Sequence, residues 1–311
     1  MFLCLQNPLV ITSHSGLTPR LSYMWNTISQ TISAVTGRPF RPDDRGSIGG
    51  GCISQSFVLS DRDRRFFVKT NREACLEMFE AEALGLKQMH ATQTICVPEP
   101  ICWGVAGSSA YIVLEYLDIG RRSTDAASFE MGQKLAQMHR QGCCDRFGWE
   151  RHNTIGSTPQ MNDRSEHWVE FFATQRLEFQ LRLAARKGRQ FEGGAKLVDR
   201  VPELLAGHSP IPSLVHGDLW GGNAGVTRDG IPVIFDPAMY YGDRETDIAM
   251  TELFGGFLPA FYQGYQEEWP LEEGYDQRKV LYNLYHLLNH FNLFGSSYAS
   301  QVEASIRQLL A

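Results

Sequence analysis

Apolar and polar positions recur with two periods along this chain, and the periods divide it into elements. Trp25, Ile28, Ile32 and Val35 fall on one face of a helix that opens at Met24 and stops at Gly37. Residues 53–60 and 65–70 read as strands joined by the turn at 61–64. Residues 71–90 read as a helix with Leu76, Phe79, Ala83, Leu86 and Met89 on its apolar face. A further strand pair covers 97–105 and 109–115, and its second member runs out through Tyr116 and Leu117 into Asp118 and Gly120. Beyond that point the helical period dominates, over 127–141, 163–187, 196–206, 243–254, 276–294 and 297–310. One short hairpin interrupts the helices: Val226-Thr227, a turn at Arg228-Asp229-Gly230, and the apolar run from Ile231 to Phe235. The predicted class is α+β, with an antiparallel sheet plus helix in the N-terminal third and a mostly helical remainder.

Composition narrows the class. With 311 residues, 43% hydrophobic and 21% charged, the chain has apolar mass for about two domains. A net charge of −6 argues against a nucleic-acid footprint, which would be basic and clustered. No apolar run approaches the ~20 residues of a membrane span. Seven scattered cysteines, an odd number, point to a reducing compartment and a cytoplasmic location rather than a disulfide framework. Residues 1–23 hold no acidic residue and no core pattern; they are expected to be a disordered leader or a mis-assigned start.

The chemistry concentrates between Leu214 and Ala238. Asp218 and Asn223 are separated by four residues, the D-x-x-x-x-N spacing of a phosphoryl-transfer loop, and Asp236 leaves the end of the hairpin that follows. A transferred phosphate carries dense negative charge, so Mg²⁺ bridging its oxygens needs hard oxygen ligands. Asp236 offers a carboxylate and Asn223 an amide carbonyl. Asp218 stays off the metal to accept the proton of the attacking hydroxyl. Gly217, Gly221 and Gly222 allow tight turns between these groups. Upstream, Gly49, Gly50 and Gly51 precede a strand, where a glycine-rich loop lets backbone N–H groups approach phosphates; the Walker pattern is absent. Lys69 ends the next strand in F-F-V-K and needs a carboxylate to aim it. Glu82 on the following helix is that partner, since Glu80 points about 160° away around the helix.

These residues resemble the fructosamine kinase/ketosamine-3-kinase family, in the aminoglycoside-phosphotransferase-like branch of the protein kinase-like fold. The resemblance rests on Gly49-Gly-Gly-Cys-Ile-Ser54, Phe67-Val-Lys69, Met78-Phe-Glu-Ala-Glu-Ala83, Leu114-Glu-Tyr116, His216-Gly-Asp-Leu-Trp-Gly-Gly-Asn223, Phe235-Asp-Pro-Ala238 and the stretch from Tyr241 to Ala249. It implies a two-lobed fold, with a nucleotide-binding N-lobe at 24–117 and a catalytic C-lobe at 118–311. It implies ATP and Mg²⁺ as cofactors. It also implies phosphorylation of the sugar 3-hydroxyl of fructosamines or ribulosamines, free or on glycated proteins, which leads to deglycation.

Residue roles follow from the same resemblance. Asp218 is the base, and Asn223 and Asp236 are the metal ligands. Lys69 with Glu82 is the phosphate anchor, Gly49 to Gly51 cover the phosphates, and Glu115, Tyr116 and Leu117 meet the adenine edge. Trp220 is a candidate sugar-facing aromatic, or else a core tryptophan. His216 braces the loop, Asp247 buttresses it, and Asp243 caps the helix that follows. Cys52, directly after the glycines, is a candidate redox-sensitive thiol, making the protein a monomer or a redox-dependent homodimer. Two alternatives stand beside this reading: a kinase of an aminoglycoside, choline or homoserine-like alcohol on the same fold, and a nucleotide-binding pseudokinase. Trp220-Gly221-Gly222 favours the ketosamine reading over the first, and the complete set of catalytic groups argues against the second.

Overall fold

The computed structural model describes residues 19–48, 53–120 and 123–311. The chain divides into two compact units, residues 1–91 with 97–120 and residues 92–96 with 121–311. The fold is α+β. No described helix is long and apolar enough to cross a membrane.

The first unit contains α1 (Pro19–Thr36), β1 (Asp44–Ile48), β2 (Gln55–Ser60), β3 (Arg65–Arg72), α2 (Leu76–Ala91), β4 (Pro100–Ala106) and β5 (Ser109–Glu115). Its strands form one antiparallel sheet in the order β1-β2-β3-β5-β4. Met24, Trp25, Ile28 and Ile32 of α1 bury against Leu59, Phe66, Val68, Tyr111 and Val113 of the sheet. Helix α1 starts five residues before Met24, at Pro19, a first-turn position where the missing N–H costs no hydrogen bond. Strand β1 was not legible in the sequence. Its residues, D-R-G-S-I, carry almost no apolar alternation, and the backbone ladder to β2 holds it as an edge strand. Side chains alternate across β3, so Phe66 and Val68 face α1 and Lys69 faces the other side. Helix α2 packs on β4 and β5 there, with Phe79, Ala83 and Leu86 fully buried.

The second unit opens with α3 (Asp125–Gln141), β6 (Asn153–Ile155), β7 (Thr158–Gln160) and α4 (Trp168–Phe171). A π-helical stretch, Phe172–Glu178, joins α4 to α5 (Phe179–Arg186), and α6 (Gly194–Leu204) follows. Then come β8 (Ser213–Val215), β9 (Ala224–Val226), β10 (Pro232–Ile234), β11 (Tyr240–Gly242), α7 (Glu245–Leu253), α8 (Pro259–Glu268), α9 (Tyr275–Phe294) and α10 (Ala299–Leu310). The short strands pair as β6-β7, β9-β10 and β8-β11, all antiparallel.

The helix expected over 163–187 starts late, at Trp168. Ser165 is instead bridged to Phe147 through both backbone groups, at 2.9 and 3.1 Å, and the Asp163 N–H donates to Gln175 Oε1 at 2.7 Å. Helices α3 and α8 cross closely because two glycines meet there. A Cβ on Gly132 would lie 2.0 Å from the Phe261 carbonyl, and one on Gly264 would lie 2.0 Å from that of Phe129. That crossing brings His139 of α3 to Tyr265 of α8.

Candidate active site

Strand β8 delivers the chain into the loop His216–Asn223, and β11 returns beside it. Gly217 sits where the two run closest. Its φ is +81°, and a Cβ there would lie 2.2 Å from the Ala238 carbonyl oxygen, so only glycine fits. One carboxylate organises the loop backbone. Asp247, near the start of α7, accepts the N–H of His216 at 2.6 Å and of Gly217 at 2.8 Å, and His139 Nε2 donates to it at 3.0 Å. Burial pushes its carboxyl up, but the His139 hydrogen bond and the neighbouring charges prevail and hold it below the ordinary aspartate value.

His216 is wholly buried. Its Nε2 donates to the Phe235 carbonyl at 3.0 Å, and its Nδ1 accepts the Asp218 N–H at 3.3 Å. Burial lowers its pKa, so the ring stays neutral and serves as a brace between loop and hairpin.

Asp218 is half-buried, and its carboxyl is pushed well above the ordinary range, first by desolvation and next by the charge of Asp236. Asn223 opposes this. Its Nδ2 donates to the Asp218 carbonyl at 2.8 Å and to Asp218 Oδ2 at 3.2 Å. The amide's nitrogen is thereby committed to Asp218, and its oxygen is the atom left to serve a cation.

Asp236 is exposed and has φ +59°, a left-handed conformation that costs a non-glycine residue about 1–2 kcal/mol. An amide oxygen and a carboxylate are hard ligands and fit Mg²⁺ rather than a thiophilic metal. The β9-β10 hairpin sets the spacing between them. The Thr227 N–H donates to the Ile231 carbonyl at 2.9 Å, and the Phe235 N–H reaches the Asn223 carbonyl at 3.0 Å.

In the first unit, Lys69 Nζ lies 2.7 Å from Glu82 Oε1, with both side chains nearly buried. Asn71 Nδ2 holds the chain just after the glycine run, bonding the Ile53 carbonyl at 3.0 Å and Ser54 Oγ at 3.2 Å. Gly49, Gly50, Gly51 and Cys52 themselves lie outside the described residues. Glu115 closes β5, and its N–H donates to the Glu99 carbonyl at 2.8 Å. Tyr116 follows, with the Arg65 guanidinium 4.3 Å over its ring, and then Leu117, whose carbonyl accepts the Ile119 N–H at 2.9 Å.

Trp220 is half-buried and folds back over its own loop. A Cβ on Gly222 would meet the indole at 2.3 Å. Asp243 is not the cap of α7, a position that Arg244 takes without a side-chain bond. It accepts the Glu245 N–H at 3.0 Å, His208 Nε2 at 2.6 Å and the Tyr282 hydroxyl. His208, Asp243 and Glu245 lie close enough to hold an ion. Arg278, however, already bonds both Glu245 oxygens, at 2.7 and 2.8 Å, so the group is a self-neutralised buttress beneath α7.

Two residues near the loop escaped the sequence reading. His139 carried one faint signal, a polar residue buried beside the apolar face of α3. Gln160 carried none. Its Nε2 donates to the Ala238 carbonyl at 2.9 Å from a three-residue strand 78 positions away.

The relatives of this chain make it an ATP-dependent phosphotransferase acting on a sugar hydroxyl. Residues 24–311 match the family model described as fructosamine kinase, and the chain belongs to that family. It is 53% identical over 286 residues to a probable ketoamine kinase of Synechocystis, covering 92% of this chain and 97% of that one. It is 43% identical over 270 residues to a chloroplastic protein-ribulosamine 3-kinase of Arabidopsis thaliana, covering 85% and 82%. Among solved structures, one from Haemophilus somnus, provisionally assigned as a fructosamine-3-kinase, superposes with a TM-score of 0.89 at 32% identity, covering 94% of this chain and all of that one. An aminoglycoside phosphotransferase, APH(4)-Ia, superposes at 0.58 with 15% identity, a likeness of fold alone.

Proposed function

We propose that the protein is a ketosamine 3-kinase, transferring the γ-phosphoryl group of ATP to the sugar 3-hydroxyl of a ribulosamine or fructosamine. The observation that carries this reading is Asp218, a half-buried carboxylate of raised proton affinity, held by the Asn223 amide within reach of the charge of Asp236. A base that must take a hydroxyl proton gains from a pKa above the ordinary carboxylate value. Asn223 Oδ1 and the Asp236 carboxylate would hold Mg²⁺, and the bound ion would supply positive charge against that of the phosphates. Lys69, aimed by Glu82, takes phosphate charge in the first unit, and Glu115 to Leu117 supply the backbone groups for the adenine edge.

In the transfer, the substrate O3–H bond breaks and its proton passes to an Asp218 oxygen. The O3–Pγ bond forms as the bond from Pγ to the β,γ-bridging oxygen breaks, and ADP leaves. His216 and Asp247 fix the backbone from which Asp218 projects. The half-exposed indole of Trp220 offers a face for sugar C–H groups. The product, a 3-phosphate adduct, is prone to break down and release the original amine, so the reaction serves deglycation.

The test is ATP consumption with Mg²⁺ and reductant, offering ribuloselysine and fructoselysine beside an aminoglycoside and choline. Phosphorus NMR of the product locates the new ester. Turnover of a ketosamine with phosphate on O3 is expected. Turnover of another alcohol alone would move the protein to a different acceptor class.

A further inference from the structure

Asp236 keeps its left-handed backbone because the chain is clamped on both sides of it. On the upstream side, the Phe235 N–H donates to the Asn223 carbonyl at 3.0 Å, and the Phe235 carbonyl accepts His216 Nε2 at 3.0 Å. On the downstream side, Pro237 restricts the chain, the Ala238 N–H donates to the His216 carbonyl at 2.9 Å, and the Ala238 carbonyl accepts Gln160 Nε2 at 2.9 Å. Three of these four bonds go to the catalytic loop. The fourth comes from outside it, and its direction is set by residues of the β6-β7 hairpin and the π-helical stretch.

That direction starts at Arg176, on the π-helical stretch. The side chain is wholly buried. Among the described residues no carboxylate pairs with it, and its Nε is buried without a partner. Its charge rests on the faces of Tyr240, 4.0 Å away, and Phe171, 4.6 Å away. A buried cation of this kind is a poor stabilising device, but a guanidinium can only donate.

Arg176 Nη2 therefore forces Asn162 to turn Oδ1 toward it, at 2.8 Å. Asn162 Nδ2 then meets Asn153 Oδ1 at 2.8 Å, and Asn153 must turn Nδ2 to the Met239 carbonyl, also at 2.8 Å. Asn153 Oδ1 likewise accepts Gln160 Nε2 at 2.8 Å, while Gln160 Oε1 accepts the Tyr285 hydroxyl at 2.7 Å. Each amide is left with one orientation. The relay ends with N–H groups on the carbonyls of Ala238 and Met239, two and three residues past Asp236.

We infer that Gln160, oriented by the Arg176–Asn162–Asn153 relay, is a positioning residue that holds the metal ligand Asp236 in its binding conformation. The inference rests on the proposed role of Asp236. Partners that orient a metal ligand typically change metal affinity 10–100-fold when removed. A part that merely supports the fold would not separate metal binding from nucleotide binding.

The experiment uses the full chain with Mn²⁺ as probe, counted by its electron paramagnetic resonance signal in the presence of ADP. ADP affinity is measured separately in EDTA. Gln160→Met keeps the volume and removes both polar ends. It is expected to weaken Mn²⁺ binding in the ADP complex about tenfold while metal-free ADP affinity stays within about a factor of two. Tyr285→Phe, which unhooks Gln160 Oε1, serves if Gln160→Met does not fold, with an expected weakening of about threefold. Unchanged Mn²⁺ affinity in the variant that folds overturns the inference. Asp236→Asn in the same assay separates the two levels. If it abolishes Mn²⁺ binding while Gln160→Met leaves it intact, the relay alone is wrong. If Asp236→Asn also leaves binding intact, Asp236 is not a ligand, and the relay falls with it.

Discussion

At the scale of single residues, Asp218 trades stability for chemistry. Its carboxyl is desolvated and faces the charge of Asp236, so the fold favours its protonated form. Between the unfolded value of 3.8 and the raised folded value, the native state binds more protons than the unfolded one, and stability is lost as pH rises through that window. Asp218→Asn removes this penalty and keeps an oxygen for Asn223. It is expected to cut turnover by about 10²–10⁴-fold and to raise the melting temperature of the nucleotide-free protein at pH 7, as calorimetry would show. Gly217→Ala does the reverse, destabilising the chain by roughly 1–3 kcal/mol in denaturant titration, because it sets a Cβ against the Ala238 carbonyl in a left-handed conformation. The closeness of Asp218, Asn223 and Asp236 was legible because one loop and one hairpin join them over a short stretch, and the Lys69–Glu82 pair was legible because Glu82 lies on the very next helix. Gln160 was not, since its bonds to Ala238 and Tyr285 span 78 and 125 residues and no period marks an isolated amide.

At the scale of elements, the catalytic loop is anchored to α7 and α3 through one side chain. Asp247→Ala strips the partner from two buried N–H groups and from His139. It is expected to destabilise the chain by about 1–3 kcal/mol and to lower kcat more than it raises KM for ATP. Steady-state kinetics beside a urea titration checks both. In the first unit, β3 and α2 meet at the Lys69–Glu82 pair, and Glu82→Gln takes the Glu82 charge away from the lysine. A 10–100-fold fall in kcat/KM for ATP is expected, which corresponds to about 1.4–2.8 kcal/mol. Long periodic elements such as α3 and α9 were read to within two residues of their bounds. The three-residue strands β6, β7, β8 and β11 were not, since no alternation can establish itself over three positions. The π-helical stretch also went unread, because a widened turn leaves the apolar spacing of a helix nearly unchanged.

At the scale of the whole molecule, buried histidines set the response to acid. Burial lowers the pKa values of His216 and His290 and pushes His286 from 6.5 down to about 3. Between those two values the unfolded chain binds a proton at His286 that the native one refuses, so stability falls as pH drops below 6.5. His208 works in the opposite sense. Burial lowers it, but the Asp243 hydrogen bond prevails and raises it, so its contribution is present in acid and lost as pH rises through the folded value. His208 and the raised Asp218 oppose the three lowered histidines, and His286 is expected to contribute a downward slope to the melting temperature from pH 7.5 to 5.5. His286→Phe, at a ring whose Nδ1 is buried without a partner, should flatten that slope.

The most direct test of the proposed chemistry is ATP turnover with ribuloselysine by wild type and Asp218→Asn, with nucleotide binding measured on the same samples. Turnover by the wild type that disappears in the variant, while ATP still binds both, is the expected result. A variant that binds ATP and still phosphorylates the ketosamine at a comparable rate would contradict the assignment of Asp218 as the base.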